Sequence, residues 1–190
     1  MTDRFLVTGL PRMRSAWLAT LFNALGIETV HDYDAMFGSL EVMEGWLHQP
    51  GLKGWCDSSA ACLHPDFAAR EFAGMPVVIV DRDPSESCVA LTRWAKLPIN
   101  MQTSKTNLDL FRRLIGPDVF TVQYADLNDY ETVASVVFHC TGLYLSHSTW
   151  QTFDLLKIEQ HMPKARARWM AAHPDDVHQQ DIRKMKMEHA

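Results

Sequence analysis

Val77-Val78-Ile79-Val80 is an apolar run with no polar alternation, closed by Asp81, and it constrains the fold more than any other stretch. A strand that is apolar on both sides must be covered on both sides. A parallel sheet with helices on each face does this; an antiparallel meander does not. A helix start follows at once, with Asp83 placed to N-cap, Pro84 at the first helical position and Glu86 at the third. The same succession occurs near the N-terminus. "FLVTG" from Phe5 reads as a strand and breaks at Gly9. Trp17, Leu18, Leu21, Phe22 and Leu25 then recur at helical spacing until Gly26.

The rest of the chain repeats this alternation. "IETVHDYD" reads as a short strand with a polar exit, and "SLEVMEGWLHQ" as a helix begun by Ser39. "LKGWCDSSA" reads as a strand running into a loop, and "HPDFAAREFAG" as a helix stopping at Gly74. "TSKTNLDLFRRLIG" is a helix, "DVFTVQYADL" a strand, and "YETVASVVFHCTG" a helix closed by Gly142. From about 148 to 190 the pattern is helical and polar. Alternating strands and helices predict a three-layer α/β fold, with one parallel sheet and helices on both faces. At 190 residues, 47% of them apolar, the chain suits a single domain, 1–190.

Composition excludes several classes of function. A net charge of −5 gives no electrostatic support for nucleic-acid binding. Cys56, Cys62, Cys88 and Cys140 form no C-x-x-C pair, so neither a zinc site nor a disulfide framework is indicated. With no signal peptide and no long apolar run, the expectation is a cytoplasmic protein with no membrane partner.

In such a sheet ligands bind at the carboxyl ends of the strands. Three of these ends carry charge: Arg12 and Arg14, then Asp81 and Arg82, then Asp126. The first is the most informative. A strand–loop–helix with Gly at the turn is an anion cradle, because backbone N–H groups and the helix N-terminus point at one place. Gly9 lets the backbone turn, Pro11 stiffens the loop, and Ser15 can cap the helix. Arg12 and Arg14 add permanent cations suited to phosphate or sulfate. The Walker pattern G-x-x-x-x-G-K-[ST] is incomplete, for Arg14-Ser15 stands where Gly-Lys would begin.

The loop "LPRMRSAWL" resembles that of the P-loop sulfotransferases, which reads much like "LPRSGTTWL". Arg12 falls on their catalytic Lys or Arg and Ser15 on the first hydroxyl residue. Ala16 replaces the second hydroxyl residue, and Arg14 replaces a glycine. A second resemblance is "VIVDRDPSESCVA" to the family's "VVRDPRDVALS", with Arg82 on the arginine and Ala90 in place of a serine. A third is "VQYADL" followed by a helix and "TGLYLS". "HDYD" and "WCDSS" look like segments of small phage-encoded members. The family's C-terminal G-x-x-G-x-W-K segment is missing. This resemblance implies a P-loop NTPase-like fold of sulfotransferase type. It also implies the cofactor 3′-phosphoadenosine 5′-phosphosulfate and transfer of its sulfuryl group to a hydroxyl or amine without a metal. Gly9, Pro11, Arg12, Met13, Arg14, Ser15 and Ala16 would hold its 5′ end and Arg82 its 3′-phosphate.

The acceptor, a small molecule or a carbohydrate, needs a base. His31 at the exit of the second strand suits neutral pH, and Asp57 in "CDSS" is its rival. Trp46 and Trp55 are candidates to line an acceptor pocket. Two other readings compete with sulfuryl transfer. In a divergent P-loop small-molecule kinase, Asp81 would bind Mg. In a catalytically degenerate P-loop binding module, Arg14, Ala16 and Ala90 would mark lost function.

Overall fold

The structure is a computed structural model, and it describes residues 4–31, 40–95 and 101–155. Five strands form one parallel sheet: β1 (Phe5–Gly9), β2 (Thr29–His31), β3 (Gly54–Cys56), β4 (Val77–Asp81) and β5 (Phe120–Gln123), in the order β2-β3-β1-β4-β5. The described helices are α1 (Ser15–Ala24), α2 (Leu40–Leu47), α3 (Ser59–Leu63), α4 (Pro65–Glu71), α5 (Pro84–Ala95), α6 (Met101–Ile115), α7 (Tyr130–Thr141) and α8 (His147–Leu155). A 3-10 turn, Ala125–Asn128, follows β5. The β1-to-β2 and β3-to-β4 connections run in opposite directions across the sheet. Right-handed crossovers therefore place their helices on opposite faces. Accordingly α1 and α7 pack on the strands, while α3 and α4 pack with α6. This is the three-layer α/β fold, one parallel sheet with helices on both faces, expected from the sequence.

β1 and β4 sit at the centre, paired from Leu6↔Val77 to Gly9↔Val80. Every residue of β1 is buried, as are Val77, Val78, Ile79 and Val80. The unalternated apolar run thus lies where both of its faces are covered. The helix punctuation follows the chain's own signals. Asp83 Oδ1 accepts from the Ser85 and Glu86 amides at 2.8 and 3.1 Å, capping α5. Gly142 takes a left-handed φ of 71° and closes α7.

Several boundaries differ from the sequence reading. α4 ends at Glu71, three residues before Gly74, and a separate short helix, α3, precedes it. β5 stops at Gln123, where the chain tightens into the 3-10 turn. By compactness the chain divides into Met1–Gln151 and Thr152–Ala190. Beyond Leu155 the expected C-terminal helical segment lies outside the described residues, as do Ser39 and "DYD" after His31. Among the described residues no helix is long and apolar enough to cross a membrane.

Candidate functional site: an anion cradle after the first strand

The loop after β1 is pinned by its apolar residues and leaves its polar ones outside. Leu10 and Met13 are buried, Pro11 and Arg14 half-buried, and Arg12 exposed. Gly9 is required by close approach, since a Cβ there would run into the Val80 carbonyl of the neighbouring strand. The backbone then alternates. Arg12 has φ 69° and Arg14 φ 70°, the only non-glycine residues of positive φ among those described. Each left-handed residue costs about 1–2 kcal/mol relative to an ordinary conformation. Backbones that alternate between the two hands turn successive N–H groups to one side, as in anion-binding concavities, and left-handed Arg12 and Arg14 on either side of Met13 are the kind of residues such a concavity uses.

The helix that follows adds its N-terminus to the candidate concavity. Arg14 is the N-cap of α1, its own side chain makes no capping hydrogen bond, and the first turn of the helix holds no acidic residue. A positive helix end without a built-in carboxylate suits an external anion. Ser15 and Ala16 lie in this turn, Ser15 buried and Ala16 half-buried.

Three other chain segments hold the loop. Ser87 of α5 donates its hydroxyl hydrogen bond to the Pro11 carbonyl, and Arg82 Nη1 donates to the Arg12 carbonyl. The Arg82 guanidinium lies 3.9 Å from the centroid of the Tyr124 ring, and the Arg14 guanidinium 5.0 Å from it. Arg14 also donates to Asn128 Oδ1 at 2.8 Å. Tyr124 is placed by the sheet: Asp81 pairs with Gln123, and the Tyr124 amide donates to the Asp81 carbonyl at 2.8 Å. The sequence reading assigned no role to Tyr124 or Asn128. Tyr124 stood inside the "VQYADL" match; the β4–β5 register gives it a task beside Arg82.

Arg82, expected to read a 3′-phosphate, therefore has one nitrogen committed to the loop, and its side chain is only 10% exposed. A cavity of about 380 Å³ lies beside it, lined by Arg82, Ser85, Glu86, Val89 and Ala90. The Glu86 carboxylate, 3.9 Å from Arg82 Nε, faces the same space and disfavours a second anion there.

The two candidate bases sit in unlike places. Asp57 is fully buried. Its Oδ2 accepts from Trp55 Nε1 at 2.9 Å, its Oδ1 accepts from the Ser59 amide, and its own amide donates to the Val7 carbonyl. The carboxylate is thus turned into its own βα turn. Trp55 is 3% exposed and belongs to the core; the Trp46 side chain lies outside the described residues. His31 is half-buried at the end of β2, opposite Cys56 of β3. β2 is two strands from β1, so His31 stands about 10 Å across the sheet from the cradle strand. Asp81, at the end of β4 beside β1, is 41% exposed and 4.0 Å from Arg112 Nη2.

No family model matches the chain, and no curated protein matches it. Among solved structures it is similar to a gluconokinase from Sinorhizobium meliloti 1021, at 12% identity and a TM-score of 0.45, over 84% of this chain and 98% of that one. At that identity and score the likeness assigns neither substrate nor activity.

Proposed function

We propose that the chain is a nucleotide-dependent group-transfer enzyme of the P-loop class. The loop from Gly9 to Ser15 would bind the anionic group that is transferred or the phosphate beside it. The observation that carries this reading is the left-handed pair Arg12 and Arg14 leading into a helix end with no acidic residue in its first turn. Strain of this kind persists where the surrounding structure enforces it, and it is concentrated at binding sites.

The finer reading is sulfuryl transfer from 3′-phosphoadenosine 5′-phosphosulfate to a hydroxyl or amine of a small molecule or carbohydrate. Its support is the loop chemistry: two arginines, no Lys, and the sequence resemblance. The cofactor would supply an activated sulfuryl group on a phosphate leaving group. Loop amides would bind its 5′ end, and Arg12, exposed at the loop's rim, would neutralise charge growing on the leaving oxygen. The fit at the 3′ end is poorer, because Arg82 is committed to the loop and Glu86 stands beside it. His31 would take the acceptor's proton. Asp57 does not fit that role, since both of its oxygens are engaged inside a closed turn.

A second reading, phosphoryl transfer with Mg bound at Asp81, is favoured by one observation: Asp81 is accessible on the strand next to β1. Calorimetry with 3′-phosphoadenosine 5′-phosphate and with ATP, each with and without Mg, separates the two. Tenfold tighter binding of the bisphosphate, about 1.4 kcal/mol, unaffected by EDTA, supports sulfuryl transfer. Mg-dependent binding of ATP that exceeds it moves the reading to a kinase. Binding of neither leaves the degenerate module.

A further inference from the structure

We infer that Ser87 and Arg82 are positioning residues that turn the loop's amides towards its anion, a role that rests on the cradle reading above. A trans peptide is planar, and its C=O and N–H point in opposite directions. No peptide among the described residues is cis. Ser87 Oγ holds the Pro11 carbonyl, so the Arg12 N–H of the same peptide points away from α5. Arg82 Nη1 holds the Arg12 carbonyl, so the Met13 N–H points away from Arg82. These are the two peptides that flank left-handed Arg12. In a strained loop either plane can flip, and a flipped plane presents an oxygen to the anion instead of a hydrogen. Two donors from the β4–α5 segment hold the two planes. Tyr124 is the shelf that keeps the Arg82 fork in place, 3.9 Å below it.

This assignment separates two tasks for Arg82. A residue that reads only a second phosphate has no effect on a ligand with one. A residue that orients loop amides weakens every anion bound there, however small. Inorganic phosphate is therefore the probe, titrated into the ¹⁵N-labelled full chain and followed through the Arg12 and Met13 amide resonances. Saturable shifts of both amides are expected in the wild type. Ser87→Ala and Arg82→Ala are each expected to weaken phosphate about five- to tenfold, the effect of one lost hydrogen bond. Both should also move the Arg12 and Met13 amide resonances before any phosphate is added. Ser87→Thr keeps the hydroxyl and should restore the affinity. Wild-type amides that ignore phosphate overturn the cradle itself. Wild-type binding that survives unchanged in both alanine variants leaves the cradle standing and overturns the positioning role. An affinity loss in Ser87→Ala that Ser87→Thr does not rescue also counts against it, as does a loss accompanied by collapse of the whole spectrum.

Discussion

The β1–α1 loop and the β3–α3 turn leave neighbouring strands at the same edge of the sheet, and they dispose of their polar groups in opposite ways. In the β3–α3 turn, Asp57 accepts from Trp55 and Ser59 and lies wholly inside the protein. That turn is satisfied by its own residues. In the β1–α1 loop the N-cap side chain makes no capping hydrogen bond, two arginines hold left-handed conformations, and Arg12 is exposed. Its carbonyls are held from outside, by Ser87 and Arg82. A carboxylate that fills its own turn stabilises the fold and leaves nothing over for a ligand. A strained turn whose carbonyls are held by neighbouring segments, at a helix end without an acidic residue, is the arrangement that suits an external anion. The comparison favours the proposed binding role for the loop after β1 and a structural role for the turn after β3.

The largest effect that tests the contrast belongs to Arg12. Arg12→Ala removes an exposed cation from the rim of the loop. Turnover in an acceptor assay should fall about 10²–10³-fold, as when one preorganised donor is removed, while the melting temperature stays within about 2 °C. Near-wild-type turnover would erase the functional half of the comparison. His31→Ala should lower turnover and spare nucleotide affinity, since a base touches the acceptor and not the donor.

Asp57→Ala should reverse that pattern. It strands the Trp55 indole N–H and the Ser59 amide in the interior, at about 1–3 kcal/mol for each buried donor left unpaired. A summed loss of about 2–6 kcal/mol lowers the melting temperature by about 4–24 °C in a chain of this size. Phosphate affinity of the molecules still folded should not change. A variant that keeps its melting temperature and loses turnover would give the base role back to Asp57.

Arg12→Gly sharpens the contrast further. Glycine takes φ 69° without penalty, although it costs more chain entropy on folding. The net should be a gain of about 0.5–1 kcal/mol over Arg12→Ala, which stays strained, or about 1–4 °C in melting temperature. Both variants should lose turnover alike. A glycine variant no more stable than the alanine one would mean that the loop stores no strain at Arg12.

How much of this was legible in the sequence differs between the two turns. The unalternated run Val77–Val80 announced a doubly covered strand, and Asp83-Pro84 announced the start of α5, because both signals are local. The cradle was legible in part: Gly9, Pro11 and two arginines between strand and helix already point to an anion. The short helix α3 was missed, since its five residues are too few for periodicity to show. Asp57 in "CDSS" is a candidate base on sequence alone, because nothing in the spacing tells a carboxylate that faces a crevice from one that closes its own turn. Its burial depends on the indole of Trp55 reaching over it, which no spacing reveals. The work of Tyr124 and Ser87 depends on strand register and on where α5 packs, so neither could be read from neighbours in sequence.

Asp83 supplies the smallest effect and carries the contrast to a third turn, between β4 and α5. There a helix start like that of α1 is closed by its own carboxylate. The Ser85 hydroxyl, and after it the Glu86 amide, donate to Asp83 and hold its pKa below the ordinary carboxylate value. A depressed folded pKa means that the unfolded chain binds the proton more readily. The cap's contribution is therefore complete above the unfolded value, near 4, and is lost as the pH falls through the lower folded one. Thermal melts of the wild type between about pH 5 and pH 2 should show this as part of the acid limb, and Asp83→Asn should flatten it slightly. Phosphate affinity near neutrality should be the same in both, because α5 is already capped and offers no end to an anion. A phosphate-binding change in Asp83→Asn at neutral pH would show that the closed turn also takes part in the site, and the division between the two helix ends would have to be redrawn.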